Sequence, residues 1–226
     1  GLLQVHPEHR AGRPRQTSQD RGGPTRPAAH VQHPVAGAHR EQVEQQHSAP
    51  APRSDFDDLQ FVHHALEAVS THEVDLAVAV ADWRWPTPFY VNGMTGGTEK
   101  TARINRELAI TAAETGMPIA SGSISVALDE PDTAAGFTVI REENPRGFVM
   151  ANLGAGRSPQ DAVRAVDLLG ADALQLHLNA VQETVMPEGS RDFSDWTRSV
   201  EQIVAACPVP VIVKEVGFGL SRRTLS

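Results

Sequence analysis

Five short apolar, β-rich runs set the rhythm of the chain, at residues 89–92, 118–121, 147–152, 173–179 and 209–213. Their centres fall about 25–35 residues apart, the length of one strand–helix unit. Helical patterns fill the gaps. Ile104, Leu108, Thr111 and Ala112 share one helix face, and Gly116 stands where that helix would stop. Ser158 and Asp161 read as a capping box with Asp in place of Glu or Gln, opening a helix that turns Val163, Val166 and Leu169 inward. Trp196, Val200, Ile203 and Val204 repeat with helical spacing before Pro208. Strands apolar nearly throughout and joined by helices predict a parallel sheet covered on both faces. The fold class is α/β, and the candidates are a (β/α)8 barrel and a doubly wound sheet.

The ends of the runs decide between them. Each closes on polar or Gly-rich residues: Asn92-Gly93-Met94-Thr95-Gly96-Gly97, Ser121-Gly122-Ser123, Asn152-Leu153-Gly154, His177-Leu178-Asn179 and Lys214-Glu215. A doubly wound sheet gathers its ligand groups at one switch point, whereas a barrel collects them from many strand ends. Five such ends in succession favour the barrel. A closed barrel takes about 250 residues, so the expectation is that about five of the eight βα units are present and three are not.

Residues 1–53 read differently. They hold seven Pro, six His and seven Arg against four acids, a charge of +3 that leaves −11 on the remainder of a chain of net charge −8. Such a segment cannot bury enough apolar area to offset its ordering entropy, so it is expected to be disordered. Its histidines, from His6 to His47, have no compact metal-ligand spacing. The partial barrel is expected over residues 54–226. Within it, residues 55–70 suggest a helix or extended layer around Phe61, Val62, Leu66 and Val69, and residues 74–80 alternate like a strand. Trp83, Trp85, Pro86 and Pro88 read as a rigid connector.

Charge and cysteine usage exclude some functions. The acidic balance argues against nonspecific nucleic-acid binding, and no apolar run reaches the roughly 18 residues of a membrane span. A lone Cys207 allows no internal disulfide, and with no apolar export signal it fits a cytoplasmic protein.

The strand ends suggest chemistry. The glycines of the 92–97 loop permit close backbone approach to a ligand or serve a tight turn, but they do not form a phosphate loop. His177, Asn179, Gln182 and Glu183 are the densest polar group, with His177 and Asn179 expected on one side of a strand and Gln182 and Glu183 in the loop after it. Glu183 offers a hard oxygen of the kind Mg2+ takes, especially beside a substrate phosphate. Glu188 and Arg191 read as electrostatic helpers or as solvated charges. Lys214 ends a buried apolar strand, where an ammonium calls for an anionic ligand or flavin, or for its neighbour Glu215.

The strings HLNAVQETVMPEG and PVIVKEVGFG, with the loops at 92–97, 122–123 and 151–154, resemble type 2 isopentenyl diphosphate isomerase over about residues 54–226. The resemblance implies a (β/α)8 barrel that uses FMN and Mg2+, is primed by NADPH and assembles as tetramers or octamers. It implies interconversion of isopentenyl and dimethylallyl diphosphates, with no nucleic-acid or membrane partner. It matches Met94, Thr95, Gly96, Ser123, Asn152 and Lys214 to flavin-contacting positions. His177, Asn179 and Gln182 match substrate-binding residues, with Gln182 the candidate for positioning or proton relay in catalysis, and Glu183 matches the Mg2+ ligand. The family's N-terminal Arg-Lys pair has its best counterpart at residues 35–39, where His39 stands without the pair. Its flavin-phosphate loops belong to later strands. Hydroxy-acid oxidases, another class of FMN barrel, are the enzymatic alternative, and an inactive remnant is the non-enzymatic one.

Overall fold

The computed structural model describes residues 2–5, 55–66, 69–80, 82–187, 189–217 and 219–225. The chain divides into two compact units, one of Gly1–Arg10 with Leu76–Ser226 and the other Ala11–Asp75. In the second unit the described residues form 3-10 turns at Asp55–Asp58 and Thr71–Glu73, the latter capped by Ser70. Among the described residues the helix or layer expected over 55–70 is not formed: Phe61 is fully exposed, and Val62, Leu66 and Val69 are exposed with it.

In the first unit a five-stranded sheet runs in the order β1 (Leu2–Val5), β7 (Val211–Glu215), β6 (Ala173–Leu178), β5 (Val149–Gly154), β4 (Ile119–Ser123). Strands β4 to β7 are mutually parallel, and β1 lies antiparallel on the outer edge of β7. Four residues of the segment expected to be disordered are thus strand; the rest of 1–53, including His6 to His47, lies outside the described residues. Each parallel strand is added beside its predecessor in sequence, with none of the order reversal that a doubly wound sheet requires.

Two sequence expectations change at the start of this unit. Residues 83–85 are not a connector but strand β3 (Trp83–Trp85), antiparallel to β2 (Val78–Val80). The W-R-W alternation sets both indoles on one face. Residues 89–92 form no strand of their own. Val91 makes a single parallel bridge to Ile119, because the ladder begins only after Pro86 and Pro88.

Helices cover one face of the sheet. Thr98 and Thr101 form the capping box of α1 (Glu99–Thr115), which Gly116 ends at φ 71°. Short α2 (Ser125–Asp129) and α3 (Ala135–Glu143) follow β4. Ser158 caps α4 (Pro159–Leu169) by accepting from the Asp161 N–H, while the Asp161 carboxylate turns to Arg164 instead of completing the box. After β6 come α5 (Ala180–Val185) and α6 (Trp196–Ala206). The helix-side core joins Ile119, Val149, Leu174 and Val211 of the strands to Phe137 and Ile203 of the helices. On the opposite face Ala120, Met150, Ala173 and Ile212 pack with Trp85, and Trp83, Tyr90 and Phe148 flank them. Among the described residues no helix is long and apolar enough to cross a membrane.

Candidate functional site

The face opposite the helices changes character along the strand axis. Ala120, Met150 and Ala173 form one row across the sheet, followed by Asn152, Gln175 and Ile212, then by Gly154, His177 and Lys214. Side chains two residues apart on a strand share a face, so parallel register turns four separate strings of sequence into rows. The rows run from apolar at the start of the strands to polar at their carboxyl ends.

A directed hydrogen-bond chain crosses the polar rows. Tyr90 Oη donates to Asn92 Oδ1 at 3.4 Å and accepts from Gln175 Nε2 at 3.3 Å. Gln175 Oε1 accepts from Asn152 Nδ2 at 2.6 Å, which leaves Asn152 Oδ1 to face His177 Nδ1 at 2.9 Å. Since a carbonyl oxygen only accepts, His177 must carry its proton on Nδ1, and its Nε2 keeps a lone pair. Gly154 lies beside it: a methyl there would stand 3.3 Å from Nε2.

Burial, then the charge of Lys214, lower the His177 pKa from 6.5 to about 4, with Glu183 pulling weakly the other way. The imidazole is therefore neutral at physiological pH. Below 6.5 the unfolded chain takes up a proton that the folded chain refuses, so stability should fall as pH drops from 6.5 towards 4, by up to about 3 kcal/mol. Urea titrations at several pH values will read this as a slope that His177→Gln flattens; equal slopes would contradict it.

Lys214 lies next to His177 in register, and burial lowers its pKa against the pull of Glu215. Lys214 and Met94 line one cavity of about 620 Å3 with Tyr90, Asn92, Glu215, Val216 and Gly217. Glycines let the 93–97 loop, whose Met94 lines the cavity, pack closely on its neighbours. A Cβ at Gly93 would overlap the Ser121 carbonyl, one at Gly122 the Thr95 carbonyl, and one at Gly96 the Phe137 ring. Thr95 turns its hydroxyl away from the cavity, donating to Asn105 Oδ1 at 2.6 Å.

The remaining expected residues fall into two groups. Ser123 is exposed and donates to Ser125 Oγ at 3.1 Å, and Arg157 Nε donates to the same oxygen. Asn179 lies past the end of β6 and caps α5, its Oδ1 accepting from the Gln182 N–H at 3.0 Å. The expectation that it shares a strand face with His177 is thereby corrected, because the chain turns into a helix first. Gln182 and Glu183 sit in the first turn of α5 and not in a loop. Asn179 Nδ2 donates to Gln182 Oε1 at 3.0 Å, and Glu183 Oε2 accepts from the Ser190 N–H at 2.9 Å. Glu188 lies outside the described residues, and Arg191 donates to the Pro187 and Gly189 carbonyls. Among the described residues no three His, Cys, Asp or Glu side chains converge on a metal position. Cys207 is buried, and its thiol is pushed up by that burial, as befits a structural residue.

Tyr90, Gln175 and Asn105 were not singled out by sequence reasoning. Gln175 does leave a signal, since it is in phase with His177 inside an apolar run. So does Asn105, a polar residue on the buried stripe of α1 with Ala109 and Ala112.

No family model matches the chain. Curated relatives do. The isopentenyl-diphosphate delta-isomerase of Nocardia farcinica is 53% identical over 197 residues, 87% of this chain and 52% of that protein. That of Streptomyces sp. is 52% identical over 181 residues, 80% and 50% of the two chains, and that of Staphylococcus haemolyticus is 47% identical over 190 residues, 81% and 54%. The chain spans about half the length of these relatives. Among solved structures, a universal stress protein from Archaeoglobus fulgidus overlaps 55% of the chain at a TM-score of 0.24 and 21% identity, too slight a likeness to argue from.

Proposed function

The chain belongs with the isopentenyl-diphosphate delta-isomerases it matches, and from that premise we propose that its parallel strands are part of a (β/α)8 barrel whose carboxyl ends interconvert isopentenyl and dimethylallyl diphosphates with FMN and Mg2+. The observation that carries this reading is the polar end of the inner face, where Asn152, Gln175, His177 and Lys214 come together and Lys214 shares a cavity with Tyr90, Asn92 and Met94.

The residues fit the groups that the chemistry asks for. A volume of about 620 Å3 is in the range of cofactor pockets, and a lining of Tyr90, Asn92, Met94 and Lys214 suits a flat polar ring. Met94, Thr95, Gly96, Ser123 and Asn152 would hold that ring, with Lys214 supplying positive charge. Glu183 alone would offer a carboxylate to Mg2+, an ion that takes its other oxygens from substrate phosphate and water. Reduced flavin, when bound, supplies an electron-rich ring that stabilises positive charge and exchanges protons.

The chain's own groups do the rest. Protonation of an unactivated alkene builds a tertiary cation, which needs a site that excludes water and has fixed dipoles. Met94 and Val216 supply apolar wall, and Tyr90, Gln175 and Asn152 are dipoles already oriented by one another. His177 is held neutral and in one tautomer, so it orients the substrate rather than moving the proton. Gln182, its carbonyl engaged by Asn179, would keep its NH2 as a donor for the substrate, a positioning role. We read the enzyme as cytoplasmic, primed by NADPH and oligomeric.

Purified full chain titrated with FMN, then given labelled isopentenyl diphosphate, Mg2+ and NADPH, tests this. Stoichiometric yellow protein and labelled dimethylallyl diphosphate are expected. Flavin uptake with turnover of a 2-hydroxy acid would instead indicate an oxidase, and a colourless chain would end the flavin reading.

A further inference from the structure

The glycine loop is held from behind by one buried amide, and we infer that Asn105 is the positioning residue that sets this loop for the flavin, an inference that rests on the flavin reading above. Asn105 is 4% exposed, in the middle of α1, on a stripe otherwise made of Ala109 and Ala112. Packing alone would be served there by an apolar side chain. The amide instead makes three bonds. Its Oδ1 accepts from the Thr95 hydroxyl at 2.6 Å, and its Nδ2 donates to the Thr95 carbonyl at 3.4 Å and to the Gly136 carbonyl at 2.8 Å.

Two of those bonds grip a single residue by both its side chain and its backbone. That fixes the plane of the Thr95–Gly96 peptide, the stretch of loop next to Met94 on the cavity wall. The third bond anchors the amide to the start of α3, where the next residue, Phe137, fills the space under Gly96. The Thr95 carbonyl is confined from the other side by β4, since any side chain at Gly122 would collide with it. One side chain thus ties α1, α3 and the loop into a rigid backing. A ligand that rests against Met94 of this loop needs such a backing, because a mobile loop would lose ordering entropy on each binding event.

Asn105→Asp tests the inference. The variant keeps size and the acceptor oxygen, loses both donors, and sets a carboxylate against two carbonyls. In the full chain without flavin, hydrogen exchange of the Thr95–Gly97 amides should rise about tenfold. FMN affinity read by fluorescence quenching should fall by about 10- to 100-fold, and the visible circular dichroism of the bound flavin should change. Thr95→Val removes the hydroxyl that donates to Asn105 Oδ1, a bond the Asn105→Asp carboxylate keeps, so it should give a smaller loss of its own, and the double variant should be worse than either. If Asn105→Asp does not fold, Thr95→Val reads the same contact. Unchanged loop exchange and flavin affinity in both single variants would overturn the inference. An unaltered chain that takes up no FMN would overturn the flavin reading alone, and the exchange rates, which need no flavin, would still decide whether Asn105 holds the loop.

Discussion

Gly93→Ala is expected to be the most damaging single methyl in the loop, lowering stability by about 3 kcal/mol or more and abolishing flavin uptake. The added Cβ would lie inside the van der Waals shell of the Ser121 carbonyl oxygen and carbon. Neither is the tip of a flexible side chain. Ser121 belongs to β4, is fully buried, and its hydroxyl accepts from the Asn152 N–H at 3.1 Å. The overlap can be relieved only by moving the 91–95 segment off β4, which would break the Val91 bridge. Gly156→Ala is the control, since nothing lies within 4 Å of its would-be Cβ and its φ is not positive; it should stay within about 0.5 kcal/mol of the parent chain. Urea midpoints measure both. Similar midpoints for the two variants would mean that the loop does not pack on β4 as described.

Asn152→Leu should cost about 2–4 kcal/mol although the side chain barely changes in size. Asn152 is 3% exposed and Gln175 fully buried, so removal of the amide leaves Gln175 Oε1 and the His177 Nδ1–H without partners in a place water does not reach. The penalty for a stranded buried polar group exceeds the net worth of a hydrogen bond made, which is why loss is larger than gain. Asn152→Asp separates the two halves of the role. A carboxylate still accepts from His177, and its charge should raise the imidazole pKa from about 4 towards the ordinary value. An NMR titration of the His177 ring reads that rise; an imidazole that titrates unchanged beside the new carboxylate would show that the two side chains do not touch.

Much of the parallel sheet is legible in the sequence. β5, β6 and β7 are apolar runs bounded by Gly, Pro and polar residues, and α1, α4 and α6 announce themselves by helical spacing with a Gly or Pro stop. β3 is not legible, because three residues next to two prolines look like a connector until the partner strand that pairs Trp85 with Val78 is known. α3 is hidden too: its stripe of Gly136, Phe137 and Ile140 is short and its N-cap, Ala134, makes no side-chain bond. In the site, His177 and Lys214 stand out as polar groups at apolar strand ends, and Glu183 as the carboxylate a few residues after one. That Asn152 directs the His177 proton is invisible in sequence, since it depends on the register between two strands 25 residues apart. Asn179 shows the opposite limit. Its residue type suits a ligand contact and a helix cap equally, and only the backbone at φ −147°, ψ 77° followed by a helical turn reveals the cap.

The gradient along the strands divides labour within each strand. Residues near the amino ends, Met150 and Ala173 under Trp83, Trp85 and Phe148, supply cohesion, while those two to four positions later supply chemistry. Selection can therefore alter the carboxyl ends for a different ligand without weakening the plug of aromatic rings that keeps the layers together. Evolvability of this kind is built into the register itself, and a library randomised at 154, 177 and 214 would sample new specificities from a scaffold that still folds.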